Sequence, residues 1–315
     1  MRAFVLAAGL GTRLLPLTQR RPKCLMPVMN RSLLGLWLER LAAWGVGRAV
    51  VNTHYLAPQV RDYLAGNPVP GLEVLQSHEP VILGTGGALV AAREQLGPRP
   101  FLLVNSDVLA TADLSPLLQA MGGSGAKAVL GLVDAPRFNT VAVDQAGRVL
   151  GFKGQIGLEQ APRWRTYSGL AAISPALLDH LPPSGYSTLV QGLQAAQAAG
   201  GLVLGRELAG FWDDLGTPEH LLDLHRLLIT APPAGLERLA PPGPLVLAPG
   251  VALEPDAQVE GFAVLGRGAA VEAGALVEDC LLLPGARVAV GARVRRAVLG
   301  DGFLARGDIE GGAHA

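Results

Sequence analysis

The chain has 315 residues, half of them apolar, with 26 basic and 26 acidic side chains. That length holds roughly two domains of ordinary size, and the apolar share excludes a chain disordered throughout. Zero formal charge argues against a nucleic-acid binder, and no apolar run reaches the about 20 residues of a membrane span.

The two cysteines, Cys24 and Cys280, lie far apart and fit a reducing compartment better than a disulfide framework. The opening "MRAFVLAAGLG" has the basic residue and apolar run of a leader. Gly9 and Gly11 break the run early, and no cleavage-site character follows. A cytoplasmic protein is expected.

Residues 2–7 form a short apolar strand. In "SLLGLWLERLAAWGV", Leu34, Trp37, Leu38, Leu41 and Trp44 recur at intervals of three and four, one face of a helix. "RAVVNTHY" reads as a strand, "PQVRDYLA" as a helix, "GLEVLQ" as a strand and "GGALVAAREQL" as a helix. "PFLLVNSD" is an apolar strand ending in a carboxylate. Strands alternating with helices over the first 110 or so residues imply a mostly parallel, Rossmann-like sheet flanked by helices, an α/β fold. Shorter strands follow in "AKAVLGLV", "TVAVD", "GRVLGFK" and "TYSGLAAI", with helices near 187–199 and 217–229. The proline-rich 230–244 lacks periodicity and reads as a linker.

Beyond the linker Leu247, Leu253, Val259, Leu265, Val271 and Val277 recur every six residues, and a step of five leads to Leu282, Val288 and Val294. Four residues after each stands Val251, Ala257, Ala263, Ala269, Ala275, Leu281, Ala286, Ala292 or Val298, mostly small. One large and one small apolar position per six residues suits a parallel β-helix whose flat sides stack their side chains inward. This stretch resembles the hexapeptide-repeat, left-handed β-helix family. The expected organisation is therefore 1–229, a linker 230–244 and a short left-handed parallel β-helix at 245–315.

The chemistry starts in "AAGLGTR". A dinucleotide fingerprint would need a third glycine where Leu14 stands and an acidic residue about 20 positions on. A P-loop would need lysine and a hydroxyl residue directly after the last glycine, and Thr12-Arg13 does not supply them. What remains is a loop rich in backbone N–H groups, able to form a nest for anionic oxygens, followed by Arg13 and Lys23. Arg13 can fork onto two oxygens, and Lys23 adds a compact point charge.

The string Gly9-Leu10-Gly11-Thr12-Arg13, with Pro16-Leu17-Thr18, Pro22-Lys23 and Pro27-Val28, resembles the signature of the sugar-1-phosphate nucleotidyltransferases, the NDP-sugar pyrophosphorylases. The resemblance covers most of residues 1–230, and a hexapeptide tail is common in that family. "VVNTHYLAPQV" is similar to its mannose-1-phosphate guanylyltransferase and N-acetylmuramate-1-phosphate uridylyltransferase branches. It implies an enzyme that joins an NTP to a sugar 1-phosphate and releases pyrophosphate. Ala8, Gly9, Gly11, Thr12, Arg13 and Lys23 would then surround the phosphates. The family's Mg²⁺ would fall to two carboxylates, since that hard cation prefers oxygen ligands.

Asp107 in "VNSD" stands at a strand's carboxyl end, where open α/β sheets place ligands, although such an aspartate often only caps a turn. The family pattern W-x-D-x-G-T matches Trp212, Asp214, Gly216 and Thr217, which makes Asp214 the second metal ligand and leaves Asp213 its neighbour. In "EPVILGTGGAL" the family places the equivalents of Glu79 and Gly84 beside the base, with Thr85 next to them; Thr85 also suits helix capping. A carboxylate accepts hydrogen bonds, and guanine offers adjacent N1–H and N2–H donors, which favours GTP over UTP. His54 reads as a residue that packs or supports the site from behind, not as a catalytic one. The family's F-x-E-K-P is altered here to "GFKGQ": Lys153 either takes the sugar-phosphate role from a shifted position or is a solvated lysine. Gly169 in "TYSGLAAISP" would leave room for the hexose.

Three functions follow. The leading one is a nucleotidyltransferase using GTP and mannose 1-phosphate or a related sugar, with a UTP enzyme as its variant. The second is a regulatory protein that binds nucleotide sugars; the presence of Arg13, Lys23, Asp107 and Asp214 argues against it. The third, acyl transfer in the coils, lacks a histidine base, because His314 in the terminal tail is the only one nearby. The coils are read as an assembly or regulatory element, a surface for homo-oligomer formation.

Overall fold

The computed structural model describes residues 1–158 and 161–315. The chain packs as two compact units. The first comprises Met1–Gly9, Trp37–Ala57 and Arg61–Trp212; the second comprises Leu10–Leu36, Pro58–Val60 and Asp213–Ala315. In this grouping Leu10–Leu36 packs with the C-terminal part of the chain.

In the first unit the strands Glu73–His78, Arg48–Thr53, Arg2–Leu6 and Phe101–Asn105 lie side by side and parallel. Ala3, Phe4, Val5 and Phe101–Val104 are fully buried, as strands covered on both faces must be. The long strand Arg163–Ile173 then pairs antiparallel with Phe101–Asn105, Ala128–Val133 and Val141–Val143. Val203–Glu207, a strand outside the expected set, adds parallel to Ala128–Val133. The sheet is thus parallel through its first four strands and mixed beyond them. Their shared core includes Phe4, Leu89, Phe101, Leu103, Leu130, Ile173 and Leu193.

Helices form at Leu33–Ala43, Ala57–Gly66, Leu189–Ala198 and Pro218–Thr230, close to their expected spans. Leu34, Trp37, Leu38 and Leu41 are buried, as the periodicity expects, whereas Trp44 lies past the helix end at Ala43 and is half-buried. The helix expected across "GGALVAAREQL" is instead two, Gly84–Ala91 and Arg93–Leu96, broken at Ala92. A further helix, Ser115–Met121, starts where the Asp113 carboxylate accepts the Ser115 N–H, a local signal in the sequence.

In the second unit the C-terminal stretch forms parallel sheets. Leu247 faces Leu265, which faces Leu282 and then Leu299. Leu253, Val271, Val288 and Ala305 make a second column; Val259, Val277, Val294 and Ile309 make a third. The six-residue recurrence is therefore the spacing between three columns. One expectation is corrected: at the five-residue step Cys280 and Ala297, not Leu281 and Val298, join the small inward residues. Glu260 faces Glu278 but Ala263 already faces Cys280, so Gly261-Phe262 stands opposite Asp279 alone and the small position moves by one. Residues 231–244 contain turns without helix or strand, yet Leu236 and Leu239 are buried, so this segment packs rather than floats. Both cysteines are buried and outside any disulfide, and burial pushes the Cys280 thiol up to about 11. Among the described residues no helix is long and apolar enough to cross a membrane.

Because Leu282 is 1% exposed within the column of Leu265 and Leu299, Leu282→Ala is expected to cost about 2–5 kcal/mol of stability, read as a lowered urea midpoint.

Candidate active site

The first unit carries a buried polar chain at the carboxyl ends of its parallel strands. The Ala7 N–H donates to Asn52 Oδ1 (2.6 Å), Asn52 Nδ2 donates to Glu79 Oε1 (2.7 Å), and the Leu83 N–H donates to Glu79 Oε2 (2.9 Å). Asn52 and Glu79 are 3% and 2% exposed. His54 Nδ1 donates to the Glu79 carbonyl (2.7 Å), which sets its tautomer and gives it a supporting role. Glu79 is thereby a scaffold acceptor: Oε1 holds Asn52, and Oε2 holds the turn from Glu79 to Leu83. Asn52 escaped sequence reasoning, although a polar residue inside the apolar run "AVVNT" was the available signal.

That turn leads into Gly84, which has φ +71°, and a Cβ there would lie 2.5 Å from the Ser187 carbonyl oxygen. Only glycine fits both demands. Gly86 and Gly87 donate their N–H groups to the Ser187 carbonyl (2.8 and 3.2 Å). Thr85 does not cap its own helix; its hydroxyl accepts the Leu189 N–H (2.7 Å) at the start of Leu189–Ala198.

Asp107 follows the strand Phe101–Asn105 in a turn and is half-buried. Next to it Ser106 donates both its N–H (3.2 Å) and its hydroxyl (2.5 Å) to the Leu6 carbonyl, locking two strand ends together. Gly169 is buried against Asn105, where a Cβ would meet the Asn105 Cβ at 2.8 Å. The missing side chain therefore makes room for Asn105, rather than only for a hexose. Lys153 is exposed, its backbone N–H donating to the Thr140 carbonyl (2.8 Å), and its side chain makes no hydrogen bond or ion pair among the described residues. Ala8 is buried and Gly9 is exposed.

In the second unit the signature segment folds into three single turns, Thr12–Leu14, Leu17–Gln19 and Lys23–Leu25. Gly11, at φ +66°, turns its carbonyl to accept the Leu14 N–H (2.9 Å) and the Thr18 hydroxyl (2.9 Å). A Cβ on Gly11 would lie 2.8 Å from Thr18 Cγ2 and 3.0 Å from Lys23 Cβ, so the loop returns onto itself and brings Lys23 beside Gly11. Thr12 and Arg13 are exposed. Both terminal nitrogens of Arg13 approach Asp214 Oδ2 at 3.3 Å, joining two expected site residues 201 positions apart. Gly216 lets the Arg13 guanidinium pass, and Thr217 caps the following helix by accepting the His220 N–H (3.3 Å).

His225 on that helix was also missed, though a histidine among Leu221, Leu222, Leu224 and Leu228 marks the apolar face. Its Nδ1 donates to the Leu221 carbonyl (2.7 Å) and its Nε2 accepts the Met29 N–H (3.1 Å), directly after Pro27-Val28 of the signature. Burial pushes its pKa down to about 4.

Oxygen ligands on two carboxylates suit Mg²⁺, which keeps waters and takes substrate phosphates for the rest of its shell. Asp214 meets Arg13 through Oδ2 alone. No group of three or more His, Cys, Asp or Glu side chains among the described residues is set to hold a metal.

A glycine loop with Arg13 and Lys23 close behind it is of the kind that suits phosphorylated ligands. The family model described as nucleotidyl transferase matches residues 2–230, and the chain belongs to that family. This bears out the resemblance to the sugar-1-phosphate nucleotidyltransferases read from the motifs. The chain is 29% identical to the mannose-1-phosphate guanylyltransferase of Mycobacterium tuberculosis over 93% of its own length and 83% of that protein's. It is 32% identical to the N-acetylmuramate alpha-1-phosphate uridylyltransferase of Neisseria meningitidis over 69% of this chain and 94% of that one. The crystal structure of HddC from Yersinia pseudotuberculosis, solved with GMP-PN, shares the fold, with a TM-score of 0.60, 20% identity and coverage of 71% and 97%.

Two outcomes follow from the buried groups. Asn52→Leu leaves Glu79 Oε1 and the Ala7 N–H without their partner and should cost about 2–5 kcal/mol, measured by urea denaturation. For His225, the unfolded chain binds a proton near pH 6.5 that the folded chain refuses until about pH 4. Its contribution to stability is therefore intact above pH 6.5 and is lost as pH falls toward 4, by up to about 3 kcal/mol. The stability difference between wild type and His225→Gln should shrink by that order between pH 7.5 and pH 4.5.

Proposed function

We propose that the chain transfers a nucleotidyl group from an NTP to a sugar 1-phosphate, with GTP and mannose 1-phosphate or a related sugar as the leading pair. The observation that carries this reading is the folded signature loop, in which Gly11 and Lys23 are packed together by Thr18 and Arg13 reaches Asp214. A phosphate oxygen of the sugar 1-phosphate attacks the α-phosphorus of the NTP. A new P–O bond forms, the bond to the β,γ-unit breaks, and pyrophosphate leaves with the electron pair. The attacking oxygen is already ionised, so no protein base is needed. The work left to the protein is positioning and charge neutralisation.

In this assignment the N–H groups from Ala8 to Thr12 face phosphate oxygens, and Arg13 and Lys23 offset the charge that grows on the leaving group. Asp107 and Asp214 would hold Mg²⁺, which supplies a Lewis acid on the phosphates. Glu79, Gly84 and Thr85 shape the base subsite, and Lys153 and Gly169 stand on the sugar side. Residues 1–229 would be the catalytic domain, in keeping with the family match over 2–230. Residues 230–244 would be the linker, and the parallel columns of 245–315 the flat sides of a left-handed β-helix through which copies assemble. The reading places the enzyme in the cytoplasm with its nucleotide supply, with no nucleic-acid or membrane partner.

GTP is supported by the name of the M. tuberculosis relative. With both Glu79 oxygens engaged by Asn52 and Leu83, base selection falls to backbone groups, which leaves the UTP variant open. The N. meningitidis relative carries that specificity in its name.

The test is pyrophosphate release by the intact chain with Mg²⁺, across four NTPs and a panel of sugar 1-phosphates. Release that requires one NTP together with one sugar 1-phosphate is expected; silence across the panel would overturn the reading. Lys23→Ala should lower turnover by about 10²-fold or more while its melting temperature stays within a few degrees of wild type. Undiminished turnover would remove Lys23 from the site.

A further inference from the structure

The signature segment has a polar attachment that the proposed reaction does not use. Arg21, two residues before Lys23, forks onto Asp301 in the C-terminal coils: Nε donates to Oδ2 at 2.9 Å and a terminal nitrogen donates to Oδ1. Its other terminal nitrogen donates to the Leu25 carbonyl (3.4 Å), the last residue of the Lys23–Leu25 turn. Arg20 adds a bond to the Asp301 carbonyl (3.3 Å), and its own carbonyl accepts from Gln59 (2.8 Å). Both side chains of the Arg21–Asp301 pair are about four-fifths buried, at 21% and 23% exposure. A fork-to-fork pair that sheltered is geometrically specific and little screened by salt.

The acid is not demanded by the coil. Asp301-Gly302 is one of four stacked corners, with Pro249-Gly250, Arg267-Gly268 and Pro284-Gly285 beneath it. Each glycine N–H donates to the first residue of the corner below: Gly268 to Pro249, Gly285 to Arg267, Gly302 to Pro284. Proline and arginine thus serve equally well at this position. The one corner that carries a carboxylate is the one that meets Arg20 and Arg21. The next coil holds the same corner from above, since the Gly300 N–H donates to the His314 carbonyl (2.6 Å). Asp301 is therefore presented by a stack of coils, not by a loose tail.

We infer that Asp301 is a positioning residue for the nucleotide site, and that the C-terminal coils act on catalysis within a single chain by clamping the Lys23 turn through Arg21. This rests on the functional reading above, in which Lys23 faces the triphosphate. Fixing a turn before ligand arrives removes an ordering cost from binding, so loss of the clamp weakens nucleotide binding more than it slows the chemical step.

The experiment compares full-length wild type with Asp301→Asn, Arg21→Ala, the double variant, and Glu272→Gln. The last variant breaks a coil ion pair with Arg287 that does not touch the loop. Two readouts are taken: hydrogen exchange of amides 19–26 without ligand, and the KM and kcat for the NTP that wild type turns over. Asp301→Asn and Arg21→Ala should each raise exchange in 19–26 and raise KM by about tenfold, within the usual range of coupling, with kcat changed less than threefold. The double variant should be no worse than either single one, and Glu272→Gln should do neither. Unchanged exchange in 19–26 would overturn the clamp. So would a Glu272→Gln effect of equal size, which would mark a general loss of coil stability. Raised exchange with unchanged KM would overturn the link to nucleotide binding. If wild type turns over no NTP, the functional reading fails and with it the link to the site, while the exchange readout still decides whether Asp301 orders the turn.

Discussion

The in-register parallel pairing of Arg2–Leu6 with both Arg48–Thr53 and Phe101–Asn105 governs what the first unit can offer a ligand. Parallel strands finish at the same edge, so the segments after Leu6, Thr53 and Asn105 leave the sheet together. Their backbone groups cannot all continue the ladder, and side chains take over. Ser106 closes on the Leu6 carbonyl, Asn52 receives the Ala7 N–H, and Glu79 receives the Asn52 amide. Ala7, Asn52, Glu79 and Ser106 are buried, so none of their bonds can be lost without leaving an orphaned polar group in a dry place. Rigidity at this edge is the result of that satisfaction.

The second unit solves a different problem. A glycine-rich loop has little side-chain packing to hold it, and backbone entropy favours many conformers. Order is imposed by one local polar contact, Thr18 on the Gly11 carbonyl, and by three distant in sequence: Asp214 on Arg13, His225 on the Met29 N–H and Asp301 on Arg21. Their strengths differ with exposure. Arg13 is 55% exposed, so its pair with Asp214 is of the weak, salt-sensitive kind, and Arg13 can turn to an anionic ligand at small cost. The more sheltered Arg21–Asp301 pair, by contrast, behaves as a fixed support.

Glu79 shows how a motif's chemistry can be redirected by its surroundings. As a residue type it is an acceptor suited to adjacent N–H donors, which is why it pointed to guanine. In the fold those donors are Asn52 and the Leu83 backbone. Thr85 is similar, since its hydroxyl serves the start of a helix 104 residues away. Gly169, expected to open space for a sugar, makes way for Asn105.

The linear text determined a good deal. The apolar runs and helical spacing located the parallel strands and most helices, because burial on two faces or on one face leaves a periodic trace. The six-residue recurrence, read along the chain, turned out to be the interval between three stacked columns, and the signature string led to the family. These are local or strictly periodic properties, and sequence records them directly. Tertiary structure alone decided the pairings of Arg13 with Asp214, of Arg21 with Asp301 and of Asn52 with Glu79, and the shift from Leu281 to Cys280 in the column. Each of those depends on which distant segment arrives at a given distance and on how one extra residue is absorbed at a corner. Residue type limits what a side chain can donate or accept, but only the fold supplies the partner.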